Sequence, residues 1–151
     1  MFVRDILALK GSVVITIGPS DPIGALCKLL RDKRIGAAIV SSNGRTIEGV
    51  ISERDVAYGL AVHGAELNTL RVSDLMTRTV ITCAPNDKVA IVASTMLSRN
   101  IRHLPVEVDG CAAGMVSIRD VLNLRVVDLQ QETAQLRMLA NQTDHALQDR
   151  E

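Results

Sequence analysis

The stretch GVISERD, residues 49–55, starts at a glycine, stays apolar for two residues and then turns charged; residues 114–120 repeat it as GMVSIRD. Gly, two apolar residues, Ser, then Arg-Asp recur at an offset of 65, each time where a strand pattern gives way to a helix pattern. Ser52 and Ser117 stand where an N-cap belongs, and Asp55 and Asp120, three residues on, complete the Ser-x-x-acid spacing of a capping box. Capping accounts for that spacing in full. It does not account for Asp in both copies, since Glu or Gln reaches back better, nor for the Arg beside each. A short carboxylate fixed at a helix N-terminus can accept hydrogen bonds from both hydroxyls of a ribose, and charged hydrogen bonds contribute about 1.5–3 kcal/mol each. The neighbouring N–H groups and the Ser hydroxyl suit the phosphate that such a sugar often carries. Capping alone and a nucleotide clamp both remain open on these residues.

Outward from this motif the repeat covers most of the chain. VVITIGPSDPIGAL from Val13 and TVITCAPNDKVAIV from Thr79 share Val-Ile-Thr, Pro and Asp at an offset of 66. RIGAAIV from Arg34 matches NIRHLPV from Asn100, and Asn43-Gly44 matches Asp109-Gly110. VRDIL at Val3 and VSDLM at Val72 open the two copies. A fixed offset of this length marks a duplicated structural unit.

Turn chemistry and period order the elements within each copy. VVITI, bounded by Gly18-Pro19, predicts a short buried strand. Asp21 and Asp87 are expected as N-caps, with Pro22 at the first helical position. The apolar stripes are Ile23, Leu26, Cys27 and Leu30 in the first copy and Val89, Val92, Ala93 and Met96 in the second. Two strands follow in each, joined at Asn-Gly or Asp-Gly. The closing helices begin near Glu53 and Ile118, the first ending at His63-Gly64, where the helix dipole favours a cation. The expectation is an α/β (α+β) protein of two β-α-β-β-α units, residues 1–64 and 72–128, with a connector at 65–71 and a helical tail at 129–151.

In the tail, Leu122, Val126, Leu129, Thr133, Leu136, Ala140, Thr143 and Leu147 step by 4 and 3, the spacing of a coiled-coil seam. Such a stripe packs either on its own domain or on a second chain. The second reading is favoured, with Thr133, Ala140 and Thr143 making the seam one that assists a homodimer rather than creates it. From Asn141 onward, including His145, the end is expected to fray.

Composition narrows the function classes. The chain has 151 residues, with Lys plus Arg equal to Asp plus Glu at 17 each, so the basic footprint of a nucleic-acid binder is missing. Cys27, Cys83 and Cys111 are too scattered for a disulfide framework or a zinc site, which fits a reducing cytoplasm. No leader pattern and no run of about 20 apolar residues is present, so a soluble protein without membrane contact is expected. Phe2 and Tyr58 are the only aromatic rings besides His, so a planar ligand would lie between aliphatic side chains.

The Val-x-Asp openings, the Thr-x-x-Pro-x-Asp turns, RHLPV and the closing Gly-x-x-Ser-x-x-Asp together resemble a stand-alone tandem pair of cystathionine-β-synthase-type (CBS) domains, the Bateman module, over residues 1 to about 128. The resemblance implies two units packed about a pseudo-twofold axis, with two clefts that bind adenosine nucleotides. It places the ribose at Asp55 and Asp120 with Ser52 and Ser117, and the adenine at backbone near Thr16 and Thr82. Phosphate would meet Arg102 and His103 on the middle strand, where the first unit has Gly36 and Ala37, so the clefts should differ. His103 also fits a buried strand histidine; were it to meet phosphate, affinity would rise as pH falls. Arg54 and Arg119 fit a phosphate, a solvated first turn or a salt bridge across a dimer.

Catalysis finds little support in the sequence. It has no Gly-x-Ser-x-Gly elbow, His-Glu-x-x-His, Walker loop or metal-spaced histidine pair. The resemblance likewise implies a regulator rather than an enzyme. The reading is a homodimeric, energy-sensing module that binds AMP, or else ADP, ATP or NAD(H), and signals to a regulated partner. A constitutive dimeric scaffold without a physiological ligand is the alternative; an enzyme acting on the nucleotide is a third.

Overall fold

The computed structural model describes residues 1–148, and the side chains of residues 1–142. In chain order the elements are α1 (Val3–Lys10), β1 (Thr16–Ile17), α2 (Ile23–Lys33), β2 (Ala37–Val40), β3 (Gly49–Ser52) and α3 (Glu53–His63). A 3-10 helix (Gly64–Thr69), α4 (Val72–Leu75), α5 (Val89–Arg99), β4 (His103–Val108), β5 (Cys111–Ser117) and α6 (Ile118–Gln148) follow. In the first unit β2 lies between β1, parallel, and β3, antiparallel, and it is buried along its whole length.

The second unit departs from the expected order at its first strand. Its sheet is the antiparallel pair β4–β5, and the Thr79 segment joins it only through a bridge between Cys83 and Val106. The cause is one residue. In the first unit the Ile39 N–H donates to the Ile15 carbonyl at 3.2 Å. Ile39 is replaced in the repeat by Pro105, which has no N–H to give, so the ladder stops after one rung.

Both hairpins follow their turn residues. Asp109 and Gly110, with φ of 51° and 78°, close a two-residue turn of the type whose twist suits antiparallel strands. In the longer first hairpin the Asn43 Oδ1 accepts the N–H groups of Arg45 and Thr46.

Two expected details are corrected. Asp21 and Asp87 do not cap α2 and α5, whose N-caps are Pro22 and Lys88. Each carboxylate instead accepts the N–H three residues behind it, Gly18 or Ala84, at 2.8 Å, clasping the turn that leads into the helix. Cys27 is exposed, so the buried stripe of α2 is Ile23, Leu26 and Leu30.

The opening helices cross over. Val3 and Ile6 of α1 are buried with Val92, Met96, Leu104 and Val116 of the second unit, whereas Val72 of α4 is buried with Ile23, Leu26, Val40 and Ile51 of the first. Backbone bonds repeat the exchange. The N–H groups of Val72 and Ser73 donate to the Asp21 and Pro19 carbonyls, as those of Val3 and Arg4 donate to Asp87 and Pro85. This explains the glycine of the repeated motif. A Cβ on Gly49 would lie 2.8 Å from Met76 Sδ and 2.9 Å from the Thr77 carbonyl oxygen, and one on Gly114 would lie 2.9 Å from Leu7 Cδ2. The two helices rest directly on those backbones.

The tail is one helix to Gln148. Val121 and Leu124 pack into the second core, while Leu122, Val126, Leu129 and Leu136 of the seam are exposed, so the stripe does not fold back on its own domain. Helix persists past Asn141, where fraying was expected; Asp149–Glu151 and the side chains of Thr143, His145 and Leu147 lie outside the described residues. No helix among the described residues is long and apolar enough to cross a membrane.

Candidate functional site

Two clefts lie between the units. Each takes its acid from one unit and its aliphatic wall from the other. The first, of about 180 Å³, has Asp55 of α3 facing Val80 and Ile81. The second, of about 580 Å³, has Asp120 of α6 facing Val13 and Ile15.

The acids are held by their own helix starts. The Asp55 Oδ2 accepts the Ser52 N–H at 2.8 Å and the Ser52 hydroxyl at 3.0 Å. The Asp120 Oδ2 accepts the Ser117 N–H at 2.8 Å, and the Asp120 N–H donates to Ser117 Oγ at 3.2 Å. Capping occupies one carboxylate oxygen in each copy. Among the described residues, Oδ1 of either aspartate has no hydrogen-bond partner, so capping and a second role fit on one side chain.

The copies differ in what else reaches the acid. The Lys10 Nζ lies 2.7 Å from the Asp120 Oδ2 and donates also to the Met115 carbonyl at 2.9 Å. Burial by itself would raise the Asp120 carboxyl, but the Lys10 ammonium and the Ser117 N–H and hydroxyl outweigh it and hold the group below the usual range. The difference begins in the opening helices. In the first unit α4 stops at Leu75, and Thr77 exchanges backbone bonds of 2.9 and 3.0 Å with Val50, the counterpart of Met115. Helix α1 instead continues to Lys10, which brings an ammonium where the first unit has a peptide group.

Arg102 and His103 line both clefts, at a wall they share with Glu53. A Cβ on Gly36 would come within 3.1 Å of His103 Cε1 and 3.4 Å of Glu53 Oε1, so this pair sits directly over Gly36. The expected contrast between Gly36-Ala37 and Arg102-His103 therefore does not separate the clefts. Arg54 reaches across the first cleft and donates to the Asn100 carbonyl at 2.8 Å, closing the C-terminal end of α5. Arg119 is exposed at the second cleft. Thr16 and Thr82 line neither cleft: Ile15 and Ile81, one residue earlier, form those walls, because adjacent residues of an extended chain face opposite ways. Lys10, Arg34 and Glu53 were not singled out from the sequence. The one signal for Glu53 was a break in the repeat, since Ile118 takes its place in the second copy.

Burial pushes the His103 imidazole below its ordinary value of 6.5; Glu53 and Asp120 oppose this less strongly, and Lys10 and Arg102 add to it. The folded protein therefore holds His103 neutral where the unfolded chain takes up a proton, and stability falls as pH drops from about 6.5 through the folded value. Asp120 is shifted down from 3.8, so its stabilising contribution is present above that value and fades only at more acid pH. Urea unfolding between about pH 7 and pH 5 thus isolates the histidine: the parent should lose stability relative to His103→Gln as pH falls. Parallel profiles for the two would remove this account of His103.

A duplicated α/β unit with a capping-box aspartate on each of two inter-unit clefts defines a paired-domain module. The CBS domain family model matches residues 3–61 and again 72–126, and the chain belongs to the CBS domain family. Among curated proteins it is 32% identical over 120 residues to the mitochondrial CBS domain-containing protein CBSX3 of Arabidopsis thaliana, across 77% of this chain and 58% of that one. It is 31% identical over 109 residues to a homoserine O-acetyltransferase of Methanococcus vannielii, of which it spans 22%. Among solved structures, the CBS-domain containing protein ATU1752 of Agrobacterium tumefaciens superposes with a TM-score of 0.80 at 36% identity, covering 83% of this chain and 99% of that one. The CBS domain pair of protein MJ0100, solved in complex with 5′-methylthioadenosine and S-adenosyl-L-methionine, gives 0.74 at 28% identity over 85% of this chain and 98% of that one.

Proposed function

We propose that the protein is a regulatory module that binds an adenosine-containing ligand in the clefts between its CBS domains and reports occupancy to a partner protein. The observation that carries this reading is the open Oδ1 on each cleft-lining aspartate, fixed by capping through Oδ2 and available to a vicinal diol. The adenosine-type ligands of MJ0100 support it. AMP is the single best candidate, with ADP, ATP and NAD(H) following, and ribose lies on Asp55 with Ser52 or Asp120 with Ser117. Ile81 in the first cleft and Ile15 in the second flank the base, and Arg102, His103 and Arg119 serve phosphate, while Arg54 is held by the Asn100 carbonyl. No catalytic step is assigned to any residue.

Signalling follows from linkage. Each cleft joins an acid of one unit to a wall of the other, so a bound nucleotide ties the units together and favours whichever relative arrangement it fits best. The exposed seam of α6 meets its copy in a homodimer, which carries the change outward. A melting panel of AMP, ADP, ATP, NADH and S-adenosylmethionine tests the reading. A ligand at 100 times its dissociation constant stabilises by about 2.7 kcal/mol, a rise on the order of several degrees. A panel in which no compound shifts the melt would leave a scaffold with empty clefts.

A further inference from the structure

We propose that the second cleft is selective for phosphate-bearing nucleotides, AMP included, with Lys10 as its selecting residue, while the first cleft takes a nucleoside bearing little net negative charge. This rests on the adenosine reading above and assigns a ligand class to each cleft.

Charge separates the two clefts first. The second is lined by Lys10, Arg34, Arg102 and Arg119 against the carboxylates of Glu53 and Asp120. The first has Arg54 and Arg102 against Glu53 and Asp55, and its Arg54 is already engaged by the Asn100 carbonyl. Size points the same way. Sites for small molecules and cofactors commonly measure about 300–1,000 Å³. The second cleft, about 580 Å³, falls inside that range, and the first, about 180 Å³, falls below it and suits a smaller guest.

Lys10 is the cation that makes the difference selective. Its ammonium sits on the Asp120 Oδ2 at 2.7 Å, beside the oxygen left for the sugar, on a side chain that is 38% exposed. A lysine is a point charge on a flexible stem, so its head can move between neighbouring anions with little rearrangement elsewhere. A ligand with phosphates gives the ammonium a second anionic partner next to its present one. An uncharged nucleoside gives it none and must fit around the Lys10–Asp120 pair. Position reinforces this role. Lys10 is the last residue of α1, and Gly11, at φ 90°, turns the chain away immediately after it, so the cation also stands at the helix end whose dipole favours positive charge.

The test is isothermal titration of the full chain with ATP, AMP and adenosine, on the parent, Lys10→Met and Lys10→Arg. Methionine keeps the apolar stem and drops the charge; arginine keeps the charge and controls for folding. In Lys10→Met the ratio of ATP to adenosine affinity should fall by about tenfold or more, and Lys10→Arg should recover most of it. Parental ATP binding should weaken with added KCl more steeply than that of Lys10→Met. Excess adenosine should leave bound ATP in place. An ATP-to-adenosine ratio in Lys10→Met equal to the parent's, or full competition between the two ligands, overturns the division of the clefts while the nucleotide reading stands. Heats absent for all three compounds with the parent remove both.

Discussion

Asp55→Asn and Asp120→Asn should each weaken binding of the adenosine ligand at one cleft by about tenfold or more, with the ligand-free melting temperature little changed in Asp55→Asn and lowered in Asp120→Asn, which also loses its ion pair with Lys10. The magnitude follows from the bonds at stake: a carboxylate accepting a ribose hydroxyl contributes about 1.5–3 kcal/mol, and every 1.4 kcal/mol is a factor of ten in affinity. Asparagine keeps a side-chain carbonyl that can accept the Ser52 or Ser117 N–H, so the helix start survives while the charged acceptor is lost. Alanine also removes the N3 half of the capping box, the acceptor of the Ser52 N–H, so Asp55→Ala should lower the ligand-free melt as well as the ligand shift. Comparing the two substitutions separates binding from folding. The sites should also differ from each other. Asp120→Asn strips the carboxylate from Lys10 and frees its ammonium for phosphate, so its loss for ATP should be smaller than that of Asp55→Asn for adenosine, whose cleft is lined by no lysine. Parental affinity in both asparagine variants would show that the sugar does not rest on these side chains.

Much of this architecture was legible because it is written twice. One Gly-x-x-Ser-x-x-Asp is a weak signal, but two at a constant offset, each after a strand pattern, fixed the closing helices at Glu53 and Ile118 and the capping boxes with them. What the sequence hid was decided by partners distant in the chain. Asp21 and Asp87 read as N-caps, and only the positions of the Gly18 and Ala84 N–H groups reveal that they clasp the preceding turn. The missing strand of the second unit was visible in principle, since Pro105 occupies a position that must donate to its neighbour. Thr16 and Thr82 fell one residue from the cleft walls because the facing of a strand depends on a register that a run of apolar residues does not fix. Lys10 could not be assigned to Asp120 from spacing, 110 positions away, because the contact needs both the crossover of α1 and its extra turn.

That crossover makes a prediction that the chain order alone would get backwards. Ile6 belongs to the first 64 residues in sequence, yet it is 2% exposed and packs in the second core, among the neighbours of Met96, Leu104 and Val116. Ile6→Ala removes most of a side chain from that cluster and should cost about 2–5 kcal/mol, depending on how far the cavity collapses. For a chain of this length the melting temperature should fall on the order of ten degrees. The location of the damage is the sharper readout. Amide exchange should accelerate in β4, β5 and α5, which share the core with Ile6, before it does in β2 and β3 of the unit to which Ile6 is joined in sequence. Leu26→Ala, in the other core, supplies the mirror image, with exchange rising first in β2 and β3. If Ile6→Ala loosened β2 and β3 first, α1 would belong to its own unit, and the placing of Lys10 on Asp120 would fall with it.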